Sequence, residues 1–300
     1  MRPSPTDWVP SGAWLAPGYA EWAPPEALRG PVACLWVSIT PELADRVGQA
    51  DEADQAAPAN PAARSGLVLP DACSDLIWEQ GVGAYVAGPD TGPARPMIKA
   101  GTVIVGVRFR PSAGGQVLKT PLSEIANQRV PLADLLPPAA RRLPPTLDPE
   151  EAADRVLAIT GALVVDGTPD PAMARAAVLL RDPAVRAEAV AAEVGLSERQ
   201  FRRRSQAAAG YGPKTLQRVL RFHRFVRLLD AAPGPAPPAP PAPYAPPVPG
   251  RAAPPAPPDL AALAARVGYA DQAHLTRECS ALSGLTPARL AQVRGARQQG

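Results

Sequence analysis

The sequence predicts an α+β chain: an N-terminal, mostly-β small barrel or sandwich, then an all-α part built from two helix-turn-helix units and split by a Pro-rich insert. Three observations predict it. Short apolar runs bounded by Gly and Pro fill residues 1–147. Helical periodicity with capping signals follows them. Finally, residues 267–290, VGYADQAHLTRECSALSGLTPARL, repeat the plan of residues 194–217, VGLSERQFRRRSQAAAGYGPKTLQ. Each copy reads Val-Gly, a polar turn, an arginine-bearing helix, a Gly and then a Pro.

The β part rests on five runs, at 32–39 (VACLWVSI), 66–70 (GLVLP), 74–80 (SDLIWEQ), 83–88 (GAYVAG) and 101–110 (GTVIVGVRFR). Runs of this length, rich in Val and Ile and bounded by turn residues, are strand patterns. Their spacing suits a small sandwich or barrel. Residues 48–66, dominated by Ala, Asp and Pro, are expected as a mobile loop or insertion.

Helical patterns begin with two short segments, 121–128 and 131–143. Three Asp-Pro openings then head the segments 148–163, 170–182 and 182–195. Asp accepts hydrogen bonds from the first free N–H groups of a helix, and Pro at the first helical position loses no bond there. Residues 148–169 are expected as a connecting helix or linker and 170–295 as the helical domain.

Charge divides the chain. Residues 181–300 carry 17 Lys/Arg against 8 Asp/Glu, while residues 1–180 carry 14 against 20. A basic end on an acidic beginning points to a polyanion-binding module joined to something else. Three cysteines, Cys34, Cys73 and Cys279, make no disulfide framework and suit a reducing compartment. The opening MRPSPTDWVP lacks a signal pattern, and no apolar run reaches membrane-spanning length. A cytoplasmic, nucleoid-associated protein without membrane attachment is expected. There are two histidines, His223 and His274, and no Cys-x-x-Cys pair, so no metal site or cofactor is expected. A catalytic Ser-His-Asp set would have to draw on those same helical histidines, so the expectation is not an enzyme.

Within the repeat, 187–194 offers an apolar stripe at Ala189, Val190 and Val194, Gly195 breaks it, and Ser197 caps a new helix that ends at Gly210. In the second copy Leu260, Leu263, Ala264 and Val267 form the stripe, Gly268 breaks it, Asp271 caps, and the helix ends near Gly284. The second helix of such a unit is the one that enters a DNA major groove. The first unit presents Arg199, Arg202, Arg203 and Arg204, followed by Lys214, Arg218, Arg221, Arg224 and Arg227. An arginine fork grips phosphate or reads guanine through two bonds.

These two segments, AAEVGLSERQFRRR…GYGPKTLQRVLRF and LAARVGYADQAHLTRE…SGLTPARL, resemble the DNA-binding domain of AraC-type transcriptional regulators. The resemblance covers about residues 170–295 and is most specific at GYADQAHLTRE. It implies two helix-turn-helix units joined by a linker helix, with 213–229 in its place, binding double-stranded DNA in two successive major grooves. It implies groove-facing positions at Arg199, Arg202 and Arg203, and at Gln272, Ala273, His274 and Arg277. His274 has packing against the turn as its alternative. Lys214, Arg218 and Arg221 are candidate phosphate contacts. The N-terminal stretches VLPDACSDLIWE and GVRFRPSAG resemble an effector-like domain found ahead of such units in bacterial regulators, a degenerate cupin-like barrel. That pattern has Gly where Ala72 stands. Trp36, Trp78 and Tyr85 are candidates to line a pocket for an unknown small-molecule effector, or are simply barrel core. RNA polymerase and a second copy of the chain are the other partners such a regulator implies.

Two features depart from that pattern. Four residues beyond the apolar anchors Phe201 and Leu275, where the family carries a large apolar side chain, stand Ser205 and Cys279. Either neighbours fill the space or the units are marginal. Residues 231–258 form the Pro-rich insert, 14 prolines in 28 residues, which cannot continue a helix. It reads as an extended linker or as a docking strand for an aromatic-lined partner. The rival functions are an alkylation-repair enzyme with a similar DNA-binding module, which would need a Pro-Cys-His-Arg string absent here, and a ligand-free scaffold acting through the insert.

Overall fold

A computed structural model describes residues 18–40, 63–167, 170–231 and 259–297, which form two compact units, Met1–Leu220 and Arg221–Gly300. The Pro-rich insert beyond Ala231 and most of the loop expected at 48–66 lie outside the described residues.

The first unit is built on antiparallel strands β1 (Gly18–Trp22), β2 (Val32–Ile39), β3 (Ala63–Ser65), β4 (Ser74–Glu79), β5 (Gly83–Ala87), β6 (Met97–Lys99), β7 (Val103–Phe109) and β8 (Arg129–Pro131). Six of them form one sheet in the order β1-β2-β7-β4-β5-β8, and β3 pairs with β6. The expected barrel or sandwich thus takes the form of a six-stranded sheet beside a two-stranded one. Four of the five expected strands are present within a residue or two of their sequence bounds. The fifth, 66–70, is reduced to one bridge between Val68 and Ala94. Pro70, with no N–H, cannot extend that ladder. The strands missed by pattern, β1, β3, β6 and β8, are edge or three-residue pieces too short for a periodic signal.

Alternation decides the two faces of the sheet. Leu35, Val37, Leu76, Trp78, Val86, Val105, Val107 and Phe109 point into one core. Ala152, Ala153, Val156, Leu157 and Ile159 of helix α4 (Pro149–Asp166) close that core from above. The segment expected as a connector is therefore a packed layer of the sheet domain. Asp148 caps α4 by accepting from Glu150 N, and Pro149 opens it. Among the described residues, three one-turn helices precede it: α1 (Gly114–Val117), α2 (Leu132–Leu135) and α3 (Pro137–Ala140). The helix expected at 121–128 is only a 3-10 turn, Leu122–Glu124. The one expected at 131–143 is split at Leu136, because the residue before Pro137 is pushed out of helical conformation.

Helices α5 (Pro171–Leu179), α6 (Ala187–Glu193) and α7 (Glu198–Ala209) follow. Asp170 caps α5 as expected. The third Asp-Pro opening does not start a helix. Asp182 turns back on Ala184 N at 2.9 Å, and α6 begins only at Ala187, with no side-chain cap. A local side-chain bond to the backbone competes with helix initiation there. The later start sets the buried stripe at Ala187, Val190 and Ala191 and leaves Ala189 exposed. Helix α8 (Pro213–Ala231) runs from the first unit into the second, which also holds α9 (Leu260–Val267), α10 (Gln272–Ser283) and α11 (Pro287–Arg297). Phe222, Phe225 and Val226 are buried on α8, as are Leu263 and Val267 on α9 and Leu275, Cys279 and Leu282 on α10. Among the described residues, no helix is long and apolar enough to cross a membrane.

Ala72 has φ of 66° and is buried, which explains why the resembled pattern carries Gly at this place. A left-handed non-Gly residue costs about 1–3 kcal/mol.

Candidate nucleic-acid interface

The turn between α6 and α7 is made by Gly195, at φ of 70°. Ser197 then caps α7 in a reciprocal box, its hydroxyl accepting from Gln200 N while the Gln200 side chain accepts from Ser197 N. The helix stops at Gly210, φ 84°, where a side chain would be strained. Phe201, Ser205, Ala208 and Ala209 face inward. Arg199, Arg202 and Arg203 are exposed and fall within an arc of about 100° on the helical wheel. Arg204 belongs elsewhere, paired with the capping Asp170 at 3.4 Å.

Ser205 turns its small side chain to the elbow that follows α7. It is fully buried, and its hydroxyl donates to the Tyr211 carbonyl at 2.8 Å, folding the following elbow back onto the helix. In the second unit Cys279 is equally buried, with the Ser283 hydroxyl 3.6 Å from its sulfur. Ser283 also donates to the Cys279 carbonyl and accepts from Leu285 N. In both units the small side chain is buried and held near a hydrogen-bonded serine hydroxyl.

Within the second unit, Gly268 (φ 81°) makes the turn, Asp271 caps α10 by accepting from His274 N, and Gly284 (φ 71°) ends it. Gln272, Ala273 and Arg277 are exposed. His274 is half-buried, set edge-on to the Tyr269 ring with centroids 5.2 Å apart, and its Nδ1 accepts from Ala270 N. It braces the turn. Of the three phosphate candidates, Lys214 is the most open, with a loose contact to Glu188 at 3.3 Å, and Arg218 is half-buried. Arg221 lies over the Tyr269 ring, 5.6 Å from its centroid, and acts as packing between α8 and the α9–α10 turn. Tyr269 escaped the sequence reading, although its place directly after the turn glycine is the signal for it.

The three pocket candidates do not share a face. Trp78 is fully buried in the main core and donates to the Pro144 carbonyl at 2.9 Å. Trp36 and Tyr85 lie on the opposite face with Cys34, Ile77, Ala87 and Ile104. There the Trp36 indole lies flat against Gly106, where a Cβ would come within 2.3 Å of the ring. Its N–H donates to Asp75 at 2.7 Å. Arg108, opposite Cys34 and Asp75 in register, joins Asp75 at 3.2 Å, Glu21 at 3.3 Å and Asp71 at 3.5 Å. Burial works against the Arg108 charge, but Asp75 and Asp71 outweigh it and raise its pKa. Burial likewise raises the Asp75 carboxyl against the pull of Arg108. It pushes the Cys34 thiol up to about 12 and Cys73 well above its ordinary value. Neither is the thiolate that cysteine chemistry needs. Arg108 was also missed from sequence. An Arg inside an alternating strand, opposite an Asp of the neighbouring strand, is its only trace.

Gly106→Val is expected to lever Trp36 off the sheet and break its bond to Asp75, costing about 1–3 kcal/mol by overpacking. The check is a lower melting temperature with a red-shifted tryptophan emission.

Residues 20–131, which contain most of the sheet domain, match a family model described as a domain of unknown function, DUF6597. No curated protein matches the chain. Among solved structures, the chain is similar to ToxT from Vibrio cholerae O395, at 11% identity and a TM-score of 0.38, covering 77% of this chain and 92% of that one. It is similar to an apo ToxT variant from V. cholerae strain SCE256, at 10% identity and a TM-score of 0.40, covering 86% and 97%. Unsaturated fatty acid bound wild-type ToxT from the same strain stands at 10% identity and a TM-score of 0.37, covering 76% and 90%.

Proposed function

We propose that the chain is a sequence-specific regulator of the AraC type that binds duplex DNA through α7 and α10, its sheet domain receiving an effector or partner. The observation that carries this reading is the duplicated construction. Each unit has a glycine turn, a side-chain-capped helix with a buried apolar residue near its start, a left-handed glycine stop, and an exposed arginine-bearing arc. Arg199, Arg202 and Arg203 serve one groove and Gln272, Ala273 and Arg277 the next. Lys214 and Arg218 neutralise phosphate. The face of Trp36 and Tyr85, acidic around Arg108, is the place for an effector, and a second copy of the chain or RNA polymerase is the further partner.

Selection of bound duplexes from a random pool tests it. The expected product is a two-part motif. Recovery of no preferred sequence at moderate salt overturns the reading. Binding should weaken steeply with salt, because displaced counterions drive it. Lys214→Ala is expected to lower affinity alike on all sequences and to reduce the log–log salt slope by about 1.

A further inference from the structure

Helices α7 and α10 are capped on one plan with different chemistry. In the first unit the N-cap is Ser197, and the third helical residue, Gln200, reaches back so that its side-chain oxygen accepts from Ser197 N at 3.0 Å. In the second unit the N-cap is Asp271, and the third helical residue is His274. The His274 backbone N–H donates to the Asp271 carboxylate at 2.6 Å. Its ring reaches back one residue further, and Nδ1 accepts from Ala270 N at 3.4 Å. The return bond is thus made by an amide oxygen in one unit and by an imidazole nitrogen in the other.

A backbone N–H can only donate, so Nδ1 is the bare nitrogen of a neutral ring. Protonation puts a hydrogen on it, and two donors then face each other. No neighbour can restore that bond, whatever it does for the charge. The Tyr269 ring stands edge-on to His274 at 5.2 Å, and α8 sets the Arg221 guanidinium over the same ring, 5.6 Å from its centroid. Helix α9 brings Arg266, exposed in its last turn. Helix α11 brings Arg289 and Arg294, which bond Gln292 and Asp230. On α10 itself stand the carboxylates of Asp271 and, four residues beyond the ring, Glu278. Arg221 and the helix N-terminus oppose a cation at His274, and the two carboxylates favour it. Either way the bond from Ala270 is lost. His274 is half-buried, so protons reach it, and an imidazole is the side chain that ordinarily changes charge between pH 5 and 8. The Gln200 amide does not titrate in that range.

We propose that His274 is a proton-sensitive positioning residue: neutral, it ties the turn ahead of α10 to the helix, and protonated, it lets that turn go, so that acid loosens the second unit and spares the first. That α7 and α10 read DNA rests on the function proposed above.

Amide hydrogen exchange on the full chain, expressed as protection relative to the unfolded rate at each pH, follows the tie directly. Between pH 8 and pH 5.5, protection at Ala270 is expected to fall about threefold to tenfold, the worth of one ordinary hydrogen bond, while protection at Ser197 holds. His274→Asn puts a side-chain oxygen that does not titrate in the place of Nδ1, so Ala270 is expected to stay protected at both pH values. His274→Ala is expected to leave it open at both. His223→Gln, which removes the other histidine of the chain, is expected to keep the parent profile. In selections from random duplexes, the half of the motif assigned to α10 is expected to relax at pH 5.5 in the parent and not in His274→Asn, with the α7 half unchanged. Protection at Ala270 that ignores pH, or the same fall in His274→Asn, overturns the tie. Relaxation of both halves alike, or binding that tightens in acid through His274, overturns its coupling to DNA. Where no duplex is selected at all, the DNA-binding reading falls and the exchange results still decide the tie.

Discussion

Phe201→Ala is expected to unfold the first turn-helix unit at physiological temperature. Phe201 is 2% exposed and is the large apolar anchor of α7. Around it stand small residues, Ser205, Ala208 and Ala209, and the α6 stripe of Ala187, Val190 and Ala191. Phe201 is the one large apolar side chain that α7 buries. Removing a buried Phe typically costs about 3–5 kcal/mol, a large share of the total stability of a domain. The check is thermal or denaturant unfolding, with helical signal from α6 and α7 followed by amide exchange. Phe201→Leu, which keeps most of the volume, should lose well under half as much. A Phe201→Ala chain that melts with the parent would show that the ring is not the anchor.

The second large effect concerns recognition. Arg203→Ala and Arg277→Ala are each expected to relax base preference in one half of the selected motif, leaving the other half intact. A bidentate arginine–guanine contact is worth about 1–3 kcal/mol of discrimination, or roughly fivefold to a hundredfold. Arg203 and Arg277 are both exposed on helices fixed by side-chain caps and glycine stops, so truncation removes a contact without disturbing the fold. Arg204→Ala is the matched control. Its neighbour in sequence is proposed to read bases, whereas Arg204 is tied to Asp170 at 3.4 Å in an exposed pair worth no more than about 1 kcal/mol. It should leave the motif unchanged. Relaxation spread evenly over both halves by either substitution would contradict the assignment of one helix to each half.

Much of the fold was legible because its signals are local. Asp148, Asp170, Ser197 and Asp271 cap helices within three residues of themselves. Gly195, Gly210, Gly268 and Gly284 take the left-handed conformation that single residues adopt without reference to distant chain. The alternation of 32–39 and 101–110 announces strands because a half-buried sheet imposes a period of two. Local signals also misled. The Asp182-Pro183 opening looked like the two before it, but the Asp182 side chain satisfied a nearer N–H and closed a turn instead.

The sequence alone determined that two capped turn-helix units exist, where their arginines fall, and which strands alternate, since each follows from residues within one turn or one ladder step. Tertiary structure decided the rest. It placed Trp36 and Tyr85 on one face of the sheet and Trp78 on the other, drew Asp71, Asp75 and Glu21 around Arg108, set Arg221 over the Tyr269 ring, and packed α4 onto the sheet. These outcomes depend on strand order and on contacts between residues tens of positions apart, and no short-range propensity encodes them.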